Sequence, residues 1–118
     1  MKPYHTEPAL RGASGTGIIR IGVICHETGH FFGLPDLYDT SYLTDGLGNW
    51  CIMSGGSWNW SSGSSPAHFS AWCKVNLGFA KPMASHAKSG VSLTRVEDNA
   101  VVGMLRDGMS NGEYFLIE

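Results

Sequence analysis

The amino-acid sequence predicts an α+β fold on three observations. Residues 18–32 form a long, mostly apolar and proline-free segment, whose length favours a buried helix over a strand. Ser65 and Pro66 are typical of the start of a second helix, which we expect at 65–77. Three short apolar or alternating runs within 91–118 then predict β-strands.

Length and composition place these elements in a single domain or in part of one. The chain has 118 residues, of which 42% are hydrophobic, so it can bury a core. Eight basic residues against ten acidic ones give a net charge of −2, which argues against a nucleic-acid partner. No apolar run approaches the roughly 20 residues of a membrane helix. The chain starts with no signal-peptide pattern. Its 16 glycines predict a high loop content, with an irregular lead-in at 1–17 and a long loop at 33–63.

The segment His26-Glu27-Thr28-Gly29-His30 carries the strongest chemical signal. On a helix, residues four apart lie on one face one turn apart, so His26 and His30 can direct two imidazole nitrogens at one point. This spacing is typical of two ligands on a tetrahedral zinc, with Glu27 beside them to take a proton from zinc-bound water. The segment therefore predicts a zinc site with a general base.

The residues after this segment offer a third ligand. Gly33 follows His30 by three positions and is expected to end the helix, and Asp36 comes three positions later. A catalytic zinc takes three protein ligands and keeps its fourth position for water. We therefore expect the turn at Gly33 to bring Asp36 towards the metal. Two alternatives stay open: Asp36 forms a turn after Pro35, or it binds calcium in the loop.

Taken in order, these motifs resemble those of a known group of peptidases. HExxHxxGxxD followed by a methionine turn is similar to the metzincin clan of zinc peptidases. The segments IGVICHETGHFFGLPDLYDT, GNWCIMSGGSW, PAHFSAWCKVNLGF and EYFLIE resemble the peptidase domain of the immune inhibitor A (M6) family, from about residue 21 onwards. Short streptomycete enzymes of the snapalysin type share the GLPD continuation and are the next most similar.

The resemblance implies a secreted, zinc-dependent endopeptidase that acts on protein or peptide substrates. It assigns the zinc ligands to His26, His30 and Asp36, the general base and acid to Glu27, and the methionine of the turn beneath the metal to Met53. It also implies further strands ahead of the active-site helix, so we expect the chain to be part of a larger peptidase domain. Calcium binding and the oligomeric state stay open.

Two functions other than a zinc endopeptidase stay open on the residues alone. The chain could be a zinc-binding fragment without turnover, because the implied strands that would complete the substrate cleft precede it. It could also be a globular binding module in which the histidines are incidental.

Several other side chains have an ordinary structural interpretation. We expect Trp50, Trp58 and Trp60 to pack into the loop, with the alternative that one of them lines a substrate subsite. We interpret His68 as a hydrogen-bonded structural residue. Tyr38 and Tyr114 are two candidates for a transition-state donor, and the sequence favours neither of them.

Overall fold

The computed structural model describes residues 4–12, 15–85 and 92–118. The chain divides into two compact units, Met1–Ser70 and Ala71–Glu118. The first unit holds helix α1 and a long loop, and the second holds a short helix α2 and a three-stranded sheet. This mixture of helix and strand agrees with the predicted α+β class. Within the described residues, no helix has the length and apolar character that crossing a membrane requires.

Helix α1 comprises Ile21–Phe31, a shorter segment than the predicted 18–32. Its end follows the expected pattern. Gly33 has a φ of +92°, a left-handed conformation that glycine adopts without the strain a side chain would add. The backbone N–H of Leu34 then donates to the carbonyl of Gly29 at 3.1 Å, which closes the last turn.

The start of α1 differs from the prediction because the residues before it are extended. Ile18 forms an isolated antiparallel bridge with Leu10, and Arg20 has φ −81° and ψ 153°. These residues use an extended backbone where a helix was expected. The helix therefore begins three residues later than predicted. The described part of the lead-in contains no helix, as expected for an irregular segment.

A close approach of backbone fixes the first turn of α1 against the loop. Gly22 donates its N–H to the carbonyl of Gly63 at 2.9 Å. A Cβ at position 22 would overlap the carbonyl oxygen of Ser57 and would meet the Cα of Gly63 at 3.0 Å. Because the opposing atoms are backbone, they cannot move aside as a side chain could.

The loop that follows α1 contains two short 3₁₀ helices, Gly48–Trp50 and Gly55–Trp58. The segment between them is the most buried part of the first unit, since Cys51 and Met53 are both 0% exposed. Ser54 at the same place is also buried. The interior of this unit is therefore built from a loop segment with small and flexible side chains.

The expectation that three tryptophans pack into this loop is wrong. Trp50, Trp58 and Trp60 are 89%, 61% and 77% exposed. The buried positions nearby are taken by residues smaller than tryptophan, from Ile52 and Met53 to Ser57. Because protein interiors are closely packed, this interior leaves no volume for an indole ring.

Helix α2 comprises Ala71–Asn76 and begins six residues later than the signal at Ser65 predicts. The chain before it is hydrogen-bonded to the loop instead. Ala67 donates its N–H to a loop carbonyl at 2.9 Å, and the carbonyl of His68 accepts from Ile52 at 3.1 Å. Because these bonds occupy groups that a helix would pair internally, the helix starts only after them.

The sheet consists of β1 (Lys81–Ser85), β2 (Val101–Leu105) and β3 (Phe115–Ile117). β1 pairs with β2 in parallel, and β2 pairs with β3 antiparallel, so that β2 is central. The prediction of a strand at the start of 91–118 differs from this arrangement. Residue 91 lies outside the described residues, and 92–95 have no regular structure.

The core of the second unit lies between α2 and the sheet. Val96, which the sequence placed in a strand, packs against this core from a turn. The alternation of apolar and polar residues that ends at Val96 therefore reflects burial of this side chain in the core and does not mark a strand. The buried residues and the partly buried residues around them are Ala71, Ala80, Val102, Val75, Val96 and Leu116.

We predict that Gly22→Ala destabilises the chain. Alanine favours a helix over glycine by up to about 1 kcal/mol, but the forced displacement of the backbone of Ser57 and Gly63 costs about 1–3 kcal/mol. Urea unfolding should show a lower midpoint at an unchanged slope. Gly17→Ala is the control, because a Cβ there meets nothing within 4 Å. A Gly22→Ala variant as stable as the parent would contradict this packing.

Candidate metal centre

Two histidines on α1 are each held by a main-chain carbonyl. The Nδ1 atom of His26 lies 2.8 Å from the carbonyl oxygen of Ile52, and that of His30 lies 2.8 Å from the carbonyl oxygen of Leu34. Because a carbonyl only accepts, the neutral rings are assigned the tautomer with the proton on Nδ1. Each Nε2 atom then keeps a lone pair, and the two Nε2 atoms are 3.1 Å apart.

Asp36 brings a third donor atom to the same point. Its Oδ1 atom lies 3.1 Å from the Nε2 atoms of both His26 and His30. This oxygen is buried and has no hydrogen-bond partner, which is costly for a carboxylate unless a cation is close. A tetrahedral zinc with bonds of about 2.0–2.1 Å separates its ligand atoms by about 3.3 Å. Three donors with 3.1 Å edges therefore fit such an ion.

The loop segment around Met53 supports both sides of this donor set. Ile52 accepts the hydrogen bond from His26, and the carbonyl of Met53 accepts from Leu37 at 2.7 Å, directly after the aspartate. The Met53 side chain is fully buried, and a Cβ on Gly29 of α1 would overlap its Sδ atom. One buried segment thus contacts the helix between the two histidines and also holds the chain that carries the third donor.

A cleft of about 620 Å³ adjoins the donor set and includes Glu27 in its wall. Glu27 is half-buried, next in sequence to a histidine that lines the same cleft. Of the three tryptophans, Trp58 lies in the wall of this cleft. The alternative that one of them lines a substrate subsite stays a prediction. The predicted general base therefore lies where a molecule in the cleft can reach it.

Tyr38 contacts the donor set, although the sequence did not favour a role for it. Its ring lies nearly parallel to that of His26, with centroids 6.5 Å apart and planes 23° apart. The negative charge of Asp36 raises the pKa of Tyr38. The available signal was its position two residues after Asp36, on a loop that returns to the helix.

Asp39 is used by its own loop and takes no part in the donor set. Its Oδ1 atom accepts hydrogen bonds from the backbone and hydroxyl of Ser41, and its Oδ2 atom accepts from Leu43 and Thr44. These bonds, with those to Ser41 as the largest cause, lower the pKa of Asp39 to about 2. Since both oxygens are occupied by the chain, this carboxylate organises the loop that forms one wall of the cleft.

Two histidines and an aspartate whose donor atoms converge, with a glutamate beside one of the histidines in the wall of a cleft, are typical of metal-dependent hydrolases. A family model, that of the immune inhibitor A peptidase M6 catalytic domain, matches residues 16–81, which is more than half of the chain. The chain therefore belongs to this family, as the sequence motifs predicted. Membership of the metzincin clan and the likeness to snapalysin stay predictions.

Individual relatives are similar to part of the chain. The pre-pro-metalloprotease PrtV of Vibrio cholerae serotype O1 is 50% identical over 59 residues, which cover 48% of this chain and 6% of that protein. Immune inhibitor A of Bacillus thuringiensis subsp. alesti is 47% identical over 53 residues, which cover 42% of this chain and 8% of that protein. The matched segments thus span less than a tenth of the length of these relatives.

We predict that Asp39→Asn lowers stability only where the parent carboxyl is ionised. Because the folded pKa is lowered from 3.8 to about 2, the ionised carboxylate stabilises the fold above pH 3.8. That contribution is lost as the pH falls through about 2. Unfolding midpoints of both proteins between pH 7 and pH 2 should differ by a constant amount at high pH and converge in acid. A difference that grows in acid would contradict the cited hydrogen bonds.

Proposed function

We propose that this chain is part of the catalytic domain of a zinc endopeptidase that hydrolyses protein substrates. In this proposal His26, His30 and Asp36 hold the ion, and Glu27 transfers the proton. The observation that carries it is the convergence of three donor atoms at 3.1 Å from one another, with the Asp36 oxygen buried and lacking a hydrogen bond.

The chemistry of the donor set favours zinc over calcium. Two imidazole nitrogens and one carboxylate oxygen are a usual set for Zn²⁺, whereas Ca²⁺ takes six to eight oxygen ligands. When bound, the ion supplies a Lewis acid that polarises a peptide carbonyl and makes a water molecule more acidic. The calcium site left open by the sequence gains no support from Asp36, whose free oxygen faces the histidines.

Glu27 supplies the proton transfer that peptide hydrolysis requires. Its carboxylate lies in the wall of the cleft, where it can accept a proton from the attacking water and return it to the departing amine. The charge of the carboxylate also helps to orient the water for attack. The chain therefore provides the general base and the donor set from one helix and the adjoining loop.

Met53 acts in this proposal as the floor of the centre. A buried thioether is a polarizable apolar surface that shapes a site without binding the ion. Its packing against Gly29 and its carbonyl bond to Leu37 support this role. We propose on this basis that residues 51–54 are the methionine turn of the resemblance.

The second candidate function is a metal-binding part of a peptidase that has no turnover by itself. The short matched share of the relatives favours it, because a substrate cleft can require residues that this chain does not contain. Protein substrates and secretion from the cell belong to the whole peptidase and are proposed for it on the resemblance.

Metal binding is the first test. The purified chain should bind about one zinc per molecule, and His30→Ala should lower the affinity by more than about 100-fold, since it removes a ligand outright. His5→Ala is the matched control, because His5 pairs with Glu7 away from the donor set. Metal analysis after dialysis, with competition against a chromophoric chelator, measures both. A parent chain that retains no zinc would end the proposal.

Turnover of labelled casein separates the two candidate functions. In an active chain, Glu27→Gln should keep its zinc and lose about 10²–10⁴-fold in kcat, because the amide cannot accept the proton. Glu113→Gln is the control and should leave kcat unchanged. Zinc binding without casein cleavage by the parent would select the second function. An active Glu27→Gln variant would contradict the assignment of the general base.

A further inference from the structure

The cleft beside the donor set carries an excess of negative charge. Glu27 from the helix and Asp39 and Asp45 from the loop line it, and no lysine or arginine in the described part of the chain does so. A divalent ion at the donor set would balance the charges of Asp36 and Glu27, and those of Asp39 and Asp45 would stay uncompensated. Because a cleft lined by one sign of charge concentrates the opposite sign, this cleft favours a cationic group.

The two aspartates belong to one loop that is closed at its base. The N–H of Leu47 donates to the carbonyl of Leu37 at 2.9 Å, which joins the two ends of the loop. Within the loop, the N–H of Thr44 donates to the Oδ2 atom of Asp39 at 3.0 Å, directly before Asp45. The main-chain hydrogen bonds therefore hold both aspartates in the same wall of the cleft.

The two carboxylates differ in what they can bind. Both oxygens of Asp39 accept hydrogen bonds from its own loop, so this group adds charge to the wall without being free to turn. The carbonyl of Asp45 accepts from the N–H of Gly48 at 2.9 Å, which fixes the main chain, and the residue is exposed. The carboxylate of Asp45 can therefore pair with a cationic group that enters the cleft.

Two aromatic side chains of the cleft are also accessible. Tyr42 and Trp58 line the cleft and are 86% and 61% exposed. The faces of phenol and indole rings attract guanidinium and ammonium groups, and apolar ring surface can cover the methylene stem of such a side chain. The volume of about 620 Å³ is within the range of pockets that hold small molecules. The lining thus offers the charge and the surface that suit a lysine or arginine side chain.

We propose that this cleft binds a lysine or arginine side chain of the substrate next to the peptide bond to be hydrolysed, with Asp45 as a specificity-determining residue. The place in the substrate follows from Glu27, because the proposed general base lies in the wall of the same cleft. The inference rests on the proposed function and names the class of substrate for that site.

The test measures the binding of Nα-acetylarginine methylamide to the full chain. The norleucine analogue is the matched ligand, because it has an apolar side chain and lacks the charge. In the NMR spectrum of the isotope-labelled chain, the indole N–H signal of Trp58, assigned by its loss in Trp58→Phe, reports binding in the cleft with or without turnover. The arginine ligand should shift this signal to saturation, and the norleucine ligand should bind more weakly.

Asp45→Asn should weaken binding of the arginine ligand about 2- to 5-fold, which is typical of one solvated ion pair, and should leave the norleucine ligand unaffected. Asp98→Asn is the control, because it makes the same change of charge at an exposed residue that does not line the cleft. In an active chain, the bonds cut in casein should be enriched in lysine and arginine on one side, and Asp45→Asn should reduce that enrichment.

Four results would overturn the inference: equal affinity for the two ligands, an unchanged arginine affinity in Asp45→Asn, an equal loss in Asp98→Asn, or casein cuts without a basic preference. Retained binding of the norleucine ligand shows that the Asp45→Asn variant is folded. Failure of the proposed function is distinguishable, since it appears as a parent chain that retains no zinc.

Discussion

Two hydrogen bonds from imidazole Nδ1 atoms to main-chain carbonyls fix the arrangement on which the candidate centre depends. The carbonyls of Ile52 and Leu34 select the tautomer of His26 and His30 and leave both Nε2 lone pairs directed at one point. Without these acceptors, each ring could turn or could place its proton on the nitrogen that faces its neighbour. The four-residue spacing on the helix brings the two rings together. The carbonyl acceptors determine that each ring presents an unprotonated Nε2 atom to its neighbour.

The candidate centre is built across a helix and a loop, so a bound ion would link metal binding to the order of the first unit. His26 and His30 come from α1, whereas Asp36 comes from the chain beyond Gly33. An ion held by all three residues would connect the loop to the helix. It would also separate the buried Oδ1 atom of Asp36 from the lone pairs of the two Nε2 atoms, which otherwise repel it. Part of the binding free energy would then appear as stability of the folded unit.

The local parts of this arrangement were predictable from the sequence, and the long-range parts were not. The four-residue spacing of His26 and His30 and the stop at Gly33 depend on neighbours along the chain, so they are visible in the sequence. The cap signal at Ser65 was equally clear, yet its helix does not begin there, because Ile52 pairs with the carbonyl of His68. That pairing joins residues far apart in sequence.

The same distinction explains the side chains near the site. Tyr38 lies beside His26 only because the loop folds back onto α1. The spacing of residues along the sequence does not predict where a loop folds back. The exposure of Trp50 and Trp60 has a similar origin, since the loop interior is filled by smaller side chains, among them Cys51 and Met53. The residues of the donor set could therefore be named in advance, whereas their surroundings required coordinates.

The acceptors of the two imidazole protons belong to the polypeptide backbone, and this has an evolutionary consequence. Every amino acid carries a carbonyl, so drift at positions 34 and 52 can alter packing yet cannot delete either anchor. A side-chain substitution at position 34 or 52 therefore leaves in place the carbonyl group that orients the histidine ring.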